Sequence, residues 1–286
     1  MAYFDHFNKD VWHELGMSYD MFRPYALTES DIERSTIIAD EIIDKYEKRV
    51  ITPCKEMTFG NVLQSAATVY YNLGMHTNAR KAVSILSKVQ YQDNNSLRVE
   101  DLTVQSMMVR TGAMISKQPY YVEVPKKFNT SSVHFMAHEI AHMLKESNPY
   151  ECKGIYTDLE VIPILIEMIS AHVKGDNNVF RLRELLMLDI AYSFKKLQED
   201  LDNNRISKDD MVAFNACYRQ NILYLNSFYY SLRLFSMYLD APKYVLGIID
   251  DVLSHRLTTR DAINNYLSND DYTYESGMDQ FRSRLK

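Results

Sequence analysis

Glycine and proline are scarce in this chain, with 8 and 7 residues among 286. Both counts are far below average usage, and turn signals do not recur at regular intervals, which argues against an all-β sandwich or barrel. The length is sufficient for a sizeable buried core. The sequence therefore predicts a mainly α-helical protein that folds as a single domain.

Cysteine and long apolar runs are also scarce. The three cysteines are Cys54, Cys152 and Cys217, and they form no CxxC pair, so reduced thiols are expected. The N-terminal MAYFDHFNKD lacks the apolar centre of a signal peptide, and Pro163 interrupts the aliphatic run 161–166. We therefore expect a cytoplasmic protein with no signal peptide and no transmembrane segment.

Positive charge is in deficit, since 32 Lys and Arg residues face 38 Asp and Glu residues and the formal net charge is −6. Nucleic acids and anionic membrane surfaces attract basic proteins. Neither is an expected partner.

Several segments show the three- and four-residue spacing of apolar side chains that indicates amphipathic helices. They are 28–50, 58–73, 78–89, 99–110, 179–202, 208–218, 222–238, 242–253 and 258–267. Thr28 and Ser30 are candidate N-caps of the first helix, and Gly74 is a candidate stop of the second.

A short strand is predicted at 119–124, where PYYVEV is rich in β-formers and is closed by Pro125. We interpret it as an edge strand. An exposed edge can pair with an extended peptide through backbone hydrogen bonds. The alternative is an ordinary core strand.

The most informative motif is HExxH, within VHFMAHEIAH at 133–142. Residues four apart lie on one face of a helix, so His138 and His142 can bind one metal ion with Glu139 beside it. Zinc lowers the pKa of its bound water from about 15.7 to about 7, and Glu139 can accept the proton as that water attacks a carbonyl. The motif therefore predicts a peptidase with one zinc ion per chain and a peptide as substrate.

A catalytic zinc site with two histidines needs a third protein ligand. Glu160 and Glu167 are seven residues apart in the predicted helix 157–171, on one stripe of its surface, so either could reach the metal. Nearby Asp158 could orient a zinc-binding histidine, or it could cap the helix in solvent.

The run TDLEVIPILIE resembles the third-ligand segment of the thimet oligopeptidase and oligoendopeptidase family of gluzincins. PYYVEVPKKFNTSSVHFMAHEIAHML is similar in layout to that family's strand, polar connection and LAHELGHxxH helix, although Ala141 and Lys145 replace a usual glycine and a frequent histidine. The resemblance implies that Glu160 is the third ligand. The spacing from His142 keeps Glu167 as the runner-up.

The run ILYLNSFYYSLRLFSMY, at 222–238, resembles the tyrosine-bearing helix of the same family. Tyrosines there donate hydrogen bonds to the oxyanion, so the resemblance makes Tyr224, Tyr229 and Tyr230 the candidates. The family also has a histidine near this helix. His134 and His172 are the candidate substitutes.

The resemblance implies a shortened, mainly α, zincin-like helical metallopeptidase with a short β element before the HExxH helix. Residues 1–286 would form one domain, with an N-terminal helical wall at 1–112, a zinc-binding core at 113–175 and a C-terminal helical wall at 176–286. Its implied activity is the hydrolysis of peptide bonds in oligopeptides or flexible polypeptide segments.

Three other interpretations stay open. The histidines could be core residues of a helical protein without a metal. The ExxH within the motif is typical of di-iron bundles, but such bundles need it twice and this sequence has it once. A catalytically inactive zincin-fold module that binds a peptide or a protein is the third. The presence of Glu139 argues against that module, because metal binding does not require this base.

Overall fold

The computed structural model describes residues 28–52, 54–87, 90–93, 108–111, 120–124, 128–146, 160–203, 205–207, 211–268 and 271–285. Their helices are α1 (Glu29–Lys45), α2 (Phe59–Asn72), α3 (His76–Leu86), α4 (Ser132–Glu146), α5 (Val161–Lys174), α6 (Asn177–Asp202), α7 (Met211–Asp240), α8 (Pro242–Leu253), α9 (Thr259–Tyr266) and α10 (Tyr274–Ser283). Their strands are β1 (Glu56–Met57), β2 (Gln90–Asp93), β3 (Met108–Thr111), β4 (Tyr120–Val124) and β5 (Phe128–Asn129). The mainly helical class is confirmed.

The first two helices begin at the residues that local hydrogen bonding favours. Thr28 and Asp31 form a capping box, in which each side chain accepts a hydrogen bond from the other residue's backbone N–H. Thr58 caps α2 with a single bond, in which its side chain accepts from the N–H of Asn61. Of the two candidate N-caps, Thr28 is the one observed, and the first helix ends at Lys45, which makes it shorter than predicted.

The N-terminal part of the chain is not a purely helical wall. Strands β1, β2 and β3 interrupt the helices there. The prediction of a helix at 99–110 is wrong at its end, because Met108–Thr111 form β3; residues 99–107 lie outside the described part of the chain. Pairing with β4 satisfies the backbone of β3, and this tertiary contact overrides the local apolar spacing.

The predicted strand at 119–124 is confirmed as β4, but its position at a sheet edge is wrong. In the order β2–β4–β3, β4 pairs in parallel with β2 and antiparallel with β3. Both of its backbone edges therefore have partners, and β4 cannot accept an additional extended peptide.

Helix α5 forms the centre of the fold, in contact with α4, α6 and α7. Every residue from Val161 to Ala171 is buried, and all of them except Glu167 and Ser170 are apolar. Pro163 is tolerated because it lies in the first turn, where its missing N–H would have no intrahelical acceptor. Gly175 ends the helix with a left-handed φ of 68°.

The C-terminal half is helical in its described residues. The separate helices predicted at 208–218 and 222–238 form one helix, α7, of 30 residues, and α10 was not predicted. None of the helices in the described ranges combines the length and the apolar character needed to cross a membrane.

Gly277 provides a stability test, because it lies where α10 meets α7 and an added Cβ would collide with the backbone carbonyl of Leu232. Gly247, in α8, has open space around it. We expect Gly277→Ala to lower the free energy of unfolding by about 1–3 kcal/mol. Gly247→Ala should instead raise it by about 0.4–1 kcal/mol. Urea denaturation measures both, and equal effects would contradict the close approach.

Candidate metal centre

Helix α4 carries the HExxH motif and packs against α2 and α5. Its start is fixed by β5, which pairs with β1, and by Thr130, whose N–H donates to the carbonyl of Lys55. Ser132 donates its backbone N–H to the Asn129 side chain, and its hydroxyl accepts from the Asn129 N–H. These bonds set the position of the motif relative to its neighbours.

Two histidines of α4 and one glutamate meet at a single point. Glu160 Oε2 lies 3.1 Å from His138 Nε2 and 3.2 Å from His142 Nε2, and the two Nε2 atoms are 3.2 Å apart. The three atoms therefore form a nearly equilateral triangle. Glu160 is the N-cap residue of α5, immediately before the helix that packs on α4.

This triangle has the dimensions of a metal site. Two ligand atoms at about 2.0–2.1 Å from a tetrahedral zinc ion lie about 3.3–3.4 Å apart, close to the separations observed here. Together, His138, His142 and Glu160 could hold one metal ion. Of the two glutamates that the sequence left in competition, Glu160 is the one whose carboxylate joins both histidines.

Glu167 has a different position, in the interior of α5. Its Oε2 lies 3.1 Å from Nδ1 of His138, on the far side of the ring from the triangle. Arg183, on α6, donates from Nε to Glu167 Oε1 at 2.9 Å and makes a second, very short contact with Oε2. Glu167 therefore contacts a candidate ligand rather than the ligand-binding point.

The buried cluster is negative when both histidines are neutral, which is the form in which they bind a metal. Glu139, Glu160 and Glu167 supply three carboxylates, and Arg183 supplies one guanidinium, so these groups carry a net charge of −2 when the histidines are neutral. Buried charge is costly unless it is compensated. A divalent cation would neutralise this cluster.

The pKa values of the cluster follow from the same charges. Burial alone lowers the pKa of His138, but its hydrogen bonds to Glu160 and Glu167 and the charges of Glu160 and Glu139 raise it to about 9. Burial likewise raises the pKa of Glu160, but the two histidines hold it well below its ordinary value. The cluster thus stabilises positive charge at the point where the three ligand atoms meet.

Comparisons with protein-family models, curated proteins and solved structures found no match.

Tyr224 is the candidate tyrosine that reaches the cluster. The charge of Glu160, then burial and the charge of Glu139, raise the pKa of Tyr224 well above its ordinary value. The phenol therefore stays protonated at neutral pH and can donate a hydrogen bond.

Tyr229 and Tyr230 project from other faces of α7. At 100° per residue they point about 140° and about 120° away from Tyr224. The ring of Tyr229 stacks on Tyr274 at 5.1 Å, and the Arg34 guanidinium lies 5.6 Å from the ring centre of Tyr230. The structure thus places one of the three candidates beside Glu160 and the other two in aromatic and cationic contacts elsewhere.

The two candidate histidine partners have other contacts. His134 Nδ1 is hydrogen-bonded to the Ser170 hydroxyl at 2.8 Å, and its Nε2 lies 3.7 Å from Asp176. His172 packs edge-on against Phe235 of α7, with ring centres 5.9 Å apart. In these contacts neither ring is paired with Tyr224.

Two residues of the site were missed in the sequence. Tyr70, on α2, donates its hydroxyl to the carbonyl of Ala137 at 2.6 Å, and burial together with the charge of Glu139 raises its pKa. Arg183 is the other. Its signal in the sequence is a charged residue at a buried position of an amphipathic helix. Asp158, the predicted orienting acid, lies outside the described residues.

Proposed function

We propose that this protein is a zinc-dependent metallopeptidase that hydrolyses peptide bonds in oligopeptides or flexible polypeptide segments. The observation that carries this function is the 3.1–3.2 Å triangle of His138 Nε2, His142 Nε2 and Glu160 Oε2, with Glu139 next to it on α4. Two histidines and one glutamate are a ligand set of catalytic zinc in peptidases.

The residues around the triangle favour hydrolysis over oxidation. The same donor set also suits ferrous iron. A hydrolytic site additionally needs a base, and Glu139 is a buried carboxylate whose charge acts on both His138 and Tyr224. A base and a hydrogen-bond donor at one ligand cluster are the groups that amide hydrolysis requires.

Each residue has a defined task in this reaction. When bound, zinc supplies a Lewis acid that acidifies water and polarises the scissile carbonyl. Glu139 accepts the proton of the attacking water and returns it to the leaving amine. The hydroxyl of Tyr224 donates a hydrogen bond to the oxyanion that develops on the carbonyl oxygen.

A direct test is the hydrolysis of a mixed quenched-peptide library, with metal analysis of the same sample. We expect cleavage by the zinc-loaded protein, loss of cleavage after chelation, and recovery when one equivalent of zinc is restored. A protein that binds one zinc per chain but cleaves no peptide would favour the peptide-binding module. Iron as the tightly bound metal would contradict the zinc site.

Tyr224→Phe separates an oxyanion donor from a residue that only orients Glu160. As an oxyanion donor, Tyr224 contributes about 10²- to 10³-fold to kcat, so its loss should lower kcat by that factor with zinc affinity unchanged. We expect smaller losses for Tyr229→Phe and Tyr230→Phe, which are the comparison variants. Weaker zinc binding with an unchanged kcat at saturating zinc would contradict the donor role.

A further inference from the structure

We propose that the buried ion pair of Glu167 and Arg183 positions His138 for metal binding and holds its ring in the tautomer that the metal requires. Both side chains are almost completely buried, and their helices pack on one another. Because this role presupposes the metal site proposed above, its test has to separate the two.

The tautomer follows from the position of the glutamate. His138 can bind a metal through Nε2 only if that nitrogen carries no hydrogen, so Nδ1 must carry the proton and donate it. The Glu167 Oε2 atom lies 3.1 Å from Nδ1, where it accepts this hydrogen. A carboxylate acceptor also makes the imidazole a stronger ligand.

Arg183 holds the Glu167 carboxylate in one orientation, and this carboxylate in turn orients the His138 ring. Its guanidinium contacts both oxygens of Glu167, through Nε to Oε1 and Nη2 to Oε2, in the two-point geometry that holds a carboxylate plane in one orientation. The Oε2 atom is thus shared by Arg183 and His138. Helices α4, α5 and α6 each contribute one residue, so the packing of three helices determines the ring orientation.

The test compares zinc affinity in variants without a buried unpaired charge. Replacing both members of a buried pair with apolar residues of similar volume is often neutral for stability, so Glu167→Leu with Arg183→Met should remain folded. It leaves Nδ1 of His138 without an acceptor. We expect zinc to bind about 10- to 100-fold more weakly, as measured by competition with a chromophoric chelator.

Recovery of zinc affinity by a second double variant distinguishes positioning of His138 from a general effect on core packing. Glu167→Gln with Arg183→Met restores a neutral acceptor and should recover part of the affinity. A matched control is the ion pair between Glu184 of α6 and Arg49, which lies between α1 and β1; Arg49 Nη1 is 2.7 Å from Glu184 Oε2. Arg49→Met with Glu184→Leu should leave zinc affinity unchanged, with folding of every variant followed by circular dichroism.

The visible spectrum of the cobalt-loaded protein gives an independent readout. Loss of an outer partner should preserve a four-coordinate spectrum with shifted bands, whereas loss of a direct ligand would change the coordination number. Parent-like zinc affinity in the Glu167→Leu, Arg183→Met variant would overturn the positioning role and leave the zinc site intact. An equal loss in the Arg49, Glu184 control would also overturn it. A parent protein that binds no metal would overturn the site and the positioning role together.

Discussion

Replacing Glu139 with glutamine is expected to lower peptide hydrolysis by about 10²- to 10⁴-fold, the contribution typical of a general base. Glutamine has the shape of glutamate but cannot accept a proton at neutral pH. His138, His142 and Glu160 are unchanged in this variant, so one zinc ion per chain should still bind. Initial rates on a quenched peptide and metal analysis of the same preparation measure the two properties.

The Glu139→Gln experiment has to distinguish loss of the base from loss of zinc. Chelated parent protein gives the baseline for activity without metal, and zinc-loaded parent gives the upper limit. Full activity in the variant would exclude Glu139 as the base. Loss of zinc together with activity would also contradict the proposed role, because it would mean that Glu139 holds the metal.

The two candidate ligands on α4 could be predicted because their arrangement is local. A spacing of four residues brings His138 and His142 to one face of a helix, whatever the rest of the chain does. The sequence left two glutamates as candidates for the third ligand, because the choice depends on where helix α5 begins. With Glu160 at the N-cap of α5 and Glu167 two turns inside it, one glutamate faces the triangle and the other faces Nδ1 of His138.

For the tyrosines, the local sequence pattern is not sufficient to predict which one faces the cluster. Tyr224, Tyr229 and Tyr230 share one helix, and only the rotation of α7 about its axis decides which of them faces the cluster. Packing sets that rotation, for example through the Ser231 hydroxyl, which donates to the carbonyl of Val161 at 2.9 Å. Periodicity indicates a helix but does not state which neighbour each face will meet.

Strand pairing and buried ion pairs could not be predicted from the sequence for a related reason. The sequence of β4 is compatible with an edge strand or a central strand, and contacts with β2 and β3 decide between them. In the sequence Arg183 is only a charge among the apolar positions of a helix, and its role becomes clear when its burial and its partner Glu167 are known. Both features depend on residues that are distant in the sequence.

Replacing Glu160 with alanine should remove the metal and the activity together. Two histidines would remain, which is one protein ligand fewer than a catalytic zinc site uses. We expect zinc affinity to fall by more than the factor of about 100 that loss of an outer partner can cost. Titration against a chromophoric chelator measures this loss, and circular dichroism verifies that α5 still forms.

The matched comparison for Glu160→Ala is the Glu167→Leu, Arg183→Met variant, because both remove a carboxylate that contacts His138 from opposite sides of its ring. Glu160 contacts Nε2 and Glu167 contacts Nδ1, so the first change removes a ligand and the second removes a support. The loss in zinc affinity should therefore be much larger for Glu160→Ala. The opposite result would be that Glu160→Ala retains zinc while the Glu167→Leu, Arg183→Met variant loses it. Glu167 would then be the third ligand, and the His138 ring would have to turn over in the metal-bound protein.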